Sequence, residues 1–368
     1  MFSNYFLTAF RHAKKNALYM SINTLGLSLG IACCIVAFFN WQFHNEFDAG
    51  HKSIDRIYKI NSIKKVQGES RKYATTPAPL ALNLLSKKPE IETARYWASQ
   101  SVFRINQKVL KPQSAFVDQS FTSMFSFDLK SGTLDLSNNG VVLTEKIKED
   151  LFGPEEAIGQ TLELLVAGKI VELQIHGVIN DHPLNSSFKF EALMSYDSYR
   201  MIHQDVNDSW KVSTHATFIS GEIDILHMTE TINKYIDNVN PAYPEAQYER
   251  FYLTPLKDMA EEARYTWENS LGQNNPTGSI MIPTIMAIMI LLVACFNFTN
   301  TSIALAGKRV KEIGVRKALG GERNGIATQL FLESLMVVFV SLILGIILAE
   351  FLVPAYNKLG PWIDLKIT

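Results

Sequence analysis

Thirteen residues near the C-terminal end concentrate the charge chemistry of the chain: Lys308-Arg309-Val310-Lys311-Glu312-Ile313-Gly314-Val315-Arg316-Lys317-Ala318-Leu319-Gly320. Six basic residues fall between Lys308 and Arg323, against the acids Glu312 and Glu322. Lys308, Arg309, Lys311, Arg316 and Lys317 supply positive charge and hydrogen-bond donors. Glu312 adds one opposite charge, and Ile313 and Val315 add an apolar contact. Gly314 and Gly320 permit close approach or end a helix. This is the chemistry of a docking surface, not of bond making.

The rest of the chain offers little for catalysis. There is no GxxxxGK[ST] to cradle a phosphate; Gly314 to Gly321 contains glycines but lacks that order. There is no HExxH, no CxxC and no GxSxG elbow. His44, His51, His176, His182, His203, His215 and His227 are scattered. His176 and His182 stand six apart across a turn and read as surface residues of a sheet edge and a loop. No catalytic residue, cofactor or metal site is therefore expected, and no nucleic-acid partner.

The elements that position the basic stretch are apolar runs. No charged residue occurs from Asn16 to Asn45 or from Asn269 to Gly307, and Ser334 to Val353 contains only Glu350. A membrane helix needs about 20 apolar residues, so three spans are predicted at 18–43, 281–306 and 331–353. The first outruns a signal-peptide core and reads as an uncleaved anchor. Residues 1–45 carry Arg11, Lys14 and Lys15 and no acid. The block 46–279 carries 24 basic and 31 acidic residues, net −7. Basic flanks stay in the cytoplasm, so 46–279 lies outside and 307–330 forms a cytoplasmic loop. Residues 354–368 form an external tail. Cys33, Cys34 and Cys295 all fall in predicted spans, so the external block has no disulfide. Phe2, Phe6 and Phe10 form one stripe on an interfacial helix over 1–17. Gly26 and Gly30 form a GxxxG that lets another helix approach closely. Asn23 and Asn40 read as interfacial, and Glu350 as wetted at the outer end of its span.

The external block mixes strand and helix signals. Arg56–Ile60 and Val102–Ile105 suit strands, and Pro77 to Leu85 starts a helix. Val141–Leu143 reads as a strand, with Thr144 as the cap of a helix over Glu145–Phe152 that Gly153-Pro154 stops. Leu162 and Leu164, then Val171, Leu173 and Ile175, alternate with polar residues and predict a hairpin with one buried face. Asp181 to Ser187 reads as a loop and Phe188–Glu191 as a further strand. The fold class expected is an α+β ectodomain, with mixed sheets and helices in one or two lobes, inserted between transmembrane helices.

The stretch Lys308–Gly320, followed by Gln329-Leu330-Phe331-Leu332-Glu333-Ser334, resembles the MacB/FtsX-like permease family. Val141–Leu165, with Ile175-His176-Gly177-Val178-Ile179-Asn180-Asp181-His182-Pro183-Leu184-Asn185-Ser186, is similar to that family's periplasmic core domain. The resemblance implies a permease subunit of an ABC transporter in the bacterial inner membrane, with a large periplasmic domain. It implies a separate cytoplasmic ABC ATPase docked on the loop, and a homodimer or a pairing with a second permease unit. It also leaves room for a periplasmic partner protein. The movement it implies is export or mechanical transmission to the periplasmic domain. The family's unit has four membrane helices and this chain shows three, so it reads as part of a longer permease. The alternative is a membrane-anchored sensor or receptor with an external binding domain.

Overall fold

The structure is a computed structural model that describes residues 17–87, 90–105, 107–166, 169–202, 210, 213–242, 246–308, 310, 314–315, 318, 323–360 and 363–366. The expected interfacial helix over 1–17, with its three phenylalanines, lies almost wholly outside the described residues. Two compact units emerge: 46–274, and 1–45 with 275–368. The first described element is helix α1 (Ala17–Asn45), predominantly apolar and long enough to cross a membrane.

Among the described residues, 46–274 form one mixed sheet of 14 strands. In chain order they are β1 (Ile57–Val66), β2 (Glu69–Tyr73), β3 (Thr76–Pro77), β4 (Glu92–Gln100), β5 (Val102–Ile105), β6 (Lys108–Leu110) and β7 (Gln113–Val117). Then come β8 (Leu129–Gly132), β9 (Gly140–Thr144), β10 (Thr161–Val166), β11 (Lys169–Ile179), β12 (Ala192–Ser195), β13 (Ser213–Ser220) and β14 (Ala246–Pro255). Across the sheet the order is β14-β1-β13-β4-β7-β12-β9-β11-β10-β5-β6, with β2 beside β1, β3 beside β13 and β8 beside β11. The helices between them are α2 (Ala78–Lys87), α3 (Gln119–Met124), α4 (Glu145–Phe152), α5 (Tyr196–Ile202), α6 (Ile225–Asn233) and α7 (Ile236–Val239), and α8 (Leu256–Glu262) follows β14. The sheet is mixed because β12 runs parallel to β7 and β11 parallel to β9. A parallel neighbour needs a crossover, and α4 supplies the one between β9 and β11.

The alternation in β10 and β11 does what its period dictates. Leu162, Leu164, Leu173 and Ile175 are buried, while Thr161, Glu172 and Gln174 face out. With Val141, Leu143, Ile147 and Leu151 they form one core cluster. In a second, Phe121, Phe125, Phe188 and Phe218 pack on one another, with Tyr96 against Phe121 and Phe188. A third joins Leu80, Leu84, Met228 and Ile232 of the helices to Ile60, Ile219 and Phe251 of the sheet.

Two local readings change. Thr144 stands at the N-cap position of α4, but its hydroxyl makes no cap bond. Asp181 from the loop after β11 does that work, its Oδ1 accepting from the Lys146 N–H at 3.2 Å. Phe188–Glu191 joins no ladder, and the strand starts at Ala192. Phe188 and Phe190 are buried and Lys189 is exposed, as a half-buried strand would have it. Single bonds carry the segment instead: Glu191 N–H to the Gln113 carbonyl at 2.6 Å, and Thr144 N–H to the Glu191 carbonyl at 2.9 Å. Alternation reports two faces but not whether an edge is paired.

After Asn274 come α9 (Thr277–Lys308) and α10 (Arg323–Asn357), both apolar and of membrane-spanning length. Helix α1 packs against both. Small residues make the approach close. A Cβ on Gly30 would stand 3.1 Å from the Leu291 Cα of α9, and one on Gly345 of α10 would stand 2.9 Å from the Ile31 side chain. A Cβ on Gly26 would meet nothing within 4 Å. Asn23 and Asn40 are buried between the helices. Asn23 accepts from Asn297 at 3.3 Å, while Asn40 donates to the Ser279 carbonyl at 3.1 Å and accepts from the Tyr356 hydroxyl at 3.4 Å. Beyond α10, Leu365 exchanges two bonds with the Asn357 side chain and packs with Val36 and Val353.

Candidate functional site

The basic stretch joins α9 to α10. Lys308 is the last residue of α9, and Arg323 opens α10. Gly314, Val315 and Ala318 between them are helical and exposed, and a Cβ on Gly314 would meet nothing within 4 Å. Arg309, Lys311, Glu312, Ile313, Arg316, Lys317 and Gly320 lie outside the described residues.

Where α9 and α10 approach this stretch, they enclose with α1 a cavity of about 350 Å³. Asn23, Thr299, Ser302, Glu333 and Ser334 give it polar walls, and Phe298, Leu330 and Val337 apolar ones. Glu333 is 8% exposed and accepts from Gln329 Nε2 at 3.2 Å, one turn earlier on α10. A buried carboxylate inside an apolar span marks a functional position more often than not. In sequence Glu333 falls at the start of the predicted span 331–353 without a reading of its own, and Glu350 reads as wetted at the outer end. Glu350 is exposed on α10, and Glu333 is the buried acid. The signal available was the register, because Glu333 shares the helix face of Leu330 and Val337.

In the ectodomain, Glu46, Asp48, His51, Asp128, Asp181 and His182 line a second cavity of about 660 Å³. His51 Nδ1 accepts from the Ser126 N–H at 3.2 Å, and its ring meets the edges of Phe125, Phe127 and Phe188. Burial pushes its imidazole down to about 4. His182 lies in its loop but is half-buried, between Phe127 and Phe190. Burial, then the positive charge of Lys189, push it down to about 4 as well. Asp48, with positive φ, accepts from the backbone N–H of Ser187 at 2.6 Å and from its hydroxyl at 2.5 Å. Burial raises its carboxyl, and the Ser187 bonds oppose that. His176 lies apart on β11, its Nδ1 2.9 Å from the Asp135 carbonyl. Among the described residues no group of His, Cys, Asp and Glu could hold a metal ion.

This architecture, apolar helices before and after a mixed-sheet domain, has relatives. Residues 20–225, more than half of the chain, match the MacB-like periplasmic core domain, and residues 284–365 match the FtsX-like permease C-terminal domain. The chain belongs to the MacB/FtsX-like permease family. It is 22% identical over 275 residues to the macrolide export ATP-binding/permease protein MacB of Aggregatibacter actinomycetemcomitans, covering 73% of this chain and 40% of that protein. It is 23% identical over 366 residues to the uncharacterised ABC transporter permease YvrN of Bacillus subtilis, covering 93% of this chain and 84% of YvrN. A crystal structure of a permease domain from Porphyromonas gingivalis is similar over 64% of this chain and 98% of that domain, with 17% identity and a TM-score of 0.46. The chain thus spans less than half the length of the MacB protein it matches. As a member of the MacB/FtsX-like family it is an ABC-transporter permease component. It is a multi-pass inner-membrane protein with a large periplasmic α+β domain.

Proposed function

We propose that this permease couples ATP hydrolysis in a separate cytoplasmic ATPase to movement of its periplasmic domain, for export or for mechanical work outside the membrane. The observation that carries this reading is the exposed helical stretch at Gly314, Val315 and Ala318, set in the basic segment between α9 and α10. Lys308, Arg309, Lys311, Glu312, Ile313, Gly314, Arg316, Lys317 and Gly320 form the dock, within a cytoplasmic loop over 307–330. Hydrolysis belongs to the partner, and this chain does no catalysis of its own. The permease acts as a homodimer or beside a second permease unit, with 46–279 as the periplasmic core. The relative named for macrolide export combines ATP-binding and permease functions in its name.

The test is affinity purification of the full chain from its own cells. An ABC ATPase is expected to come with the wild type and to be lost from Arg316→Glu/Lys317→Glu, because reversed charge at a docking rim is repulsive. Lys308, Arg309 and Lys311 remain to hold the loop inside, so membrane insertion is expected to survive. A double variant that keeps an ATPase partner would leave the loop as an orientation signal alone.

A further inference from the structure

Ser187 occupies an unusual place in the path of the chain. It is completely buried. Its N–H and hydroxyl both go to the Asp48 carboxylate, and its carbonyl accepts from the Gly272 N–H at 2.6 Å. Asp48 lies three residues past the end of α1 at Asn45, and Gly272 lies five before the start of α9 at Thr277. The segment that enters the ectodomain and the segment that leaves it are therefore both tied to this residue. The entry side is fastened twice more: Asp48 N–H donates to the Asn185 carbonyl at 2.9 Å, and Asn185 Nδ2 donates to the Glu46 carbonyl at 3.2 Å. The exit side has no slack. A Cβ on Gly272 would stand 2.9 Å from the Ser186 carbonyl oxygen.

The next residue carries the connection inward. Phe188 is fully buried, with its ring 4.7 Å from Phe125 and 5.2 Å from Phe121. Three residues on, Glu191 bonds to Gln113 and to Thr144, the last residue of β9. A packed core of this kind shifts as a body and does not deform continuously.

We propose that Ser187 is the positioning residue through which displacement of the membrane helices enters the ectodomain core. The Asp48 carboxylate is the grip on the incoming chain and Gly272 the grip on the outgoing one. This rests on the reading of the protein as a mechanical coupler and names the group that transmits. Without the node, each connection would pull on a loop. With it, both pull on one buried residue that is continuous with the aromatic core.

The experiment needs no ATPase. The full chain is placed in nanodiscs of dimyristoyl or dierucoyl phosphatidylcholine, whose different thickness alters helix tilt. Hydrogen exchange is then read over 186–191 and 140–144. Wild type is expected to exchange several-fold differently in the two bilayers at both segments. Asp48→Ala/Ser187→Ala is expected to lose that difference. Asp48→Asn, which still accepts from the backbone N–H and can donate to the Ser187 hydroxyl, is expected to restore it. Gly272→Ala, which displaces the exit grip, should lose it as well and serves if the double variant does not melt cooperatively. A wild type indifferent to bilayer thickness overturns the proposal. So does a cooperatively folded double variant, or Gly272→Ala, that responds like wild type. Either result leaves ATPase docking untouched, since no ATPase is present.

Discussion

Asn233 holds Phe251 by both of its backbone groups: its Oδ1 accepts from the Phe251 N–H at 2.7 Å, and its Nδ2 donates to the Phe251 carbonyl at 3.1 Å. Asn240 does the same to Tyr248, at 2.7 Å and 3.0 Å. Both asparagines are presented from α6 and its continuation, and both targets lie in β14. Among the described residues β14 is the edge of the sheet. Two amide side chains thus stand in for a neighbouring strand and close an edge that would otherwise template association. Asn233→Ala with Asn240→Ala is expected to cost about 1 kcal/mol per lost hydrogen bond. It should also produce concentration-dependent association. Thermal melts and light scattering on the detergent-purified full chain measure both, and a monodisperse variant of unchanged stability contradicts the edge-closing role.

The second prediction concerns Arg95. Its guanidinium meets Asp118 in a fork, Nε to Oδ2 at 2.9 Å and Nη2 to Oδ1 at 2.6 Å, while the Arg95 N–H donates to Oδ2 at 2.8 Å. The same guanidinium lies 3.7 Å from the Tyr196 ring centroid. The Arg95 side chain is 6% exposed and that of Asp118 is 24% exposed. Removing one partner strands a buried charge at a cost of about 3–5 kcal/mol, whereas replacing both with apolar groups is often near neutral. Asp118→Ala should therefore destabilise the ectodomain far more than Arg95→Met/Asp118→Leu. Equal losses in chemical denaturation would assign the effect to packing.

Features that depend on neighbours in sequence were legible, and those that depend on distant partners were not. The three spans, the β10–β11 hairpin and helix α4 follow from run length, alternation and a Gly-Pro stop, each readable in a short window. The capping of α4 by Asp181, 35 residues from its target, has no such window. Nor do the parallel pairing of β9 with β11 and the convergence of Asp48 and Gly272 on Ser187. Glu333 is an intermediate case. Its helix was visible, but which face turned inward depended on where α1 lay. Gly345 carries no sequence signal for the same reason, because one small residue has no motif until its neighbour is known.

The histidines set the acid limit. His51 and His182 are both pushed to about 4 from an ordinary value near 6.5. Between those values the unfolded chain binds more protons than the folded one, so stability falls as pH drops from about 6.5 towards 4. Each histidine contributes up to about 1.4 kcal/mol per pH unit across that window. Asp48 acts in the opposite sense: its carboxyl is raised, so its contribution is lost as pH rises. Thermal melts should fall on acidification through the histidine window. His51→Gln/His182→Gln should flatten that slope, and a double variant with the wild-type profile would place the titration elsewhere.

The last prediction separates the small residues of the membrane unit. A side chain on Gly345 would drive into Ile31 and the Ser28 carbonyl oxygen, at 2.9 Å and 3.1 Å, and one on Gly30 into the Leu291 backbone. Neither obstacle yields easily, since one is backbone and the other a β-branched side chain in a helix. Overpacking of that kind costs about 1–3 kcal/mol. In lipid no hydrophobic force restores the contact, because the tails are as apolar as the displaced residues. Gly30→Val and Gly345→Val are therefore expected to loosen α1 from α9 and from α10 respectively, with lower melting temperatures in detergent. Gly26→Val meets open space and should leave stability within the range of an ordinary surface change. Equal effects from Gly26 and Gly345 would mean that α10 does not lie against α1 at this level.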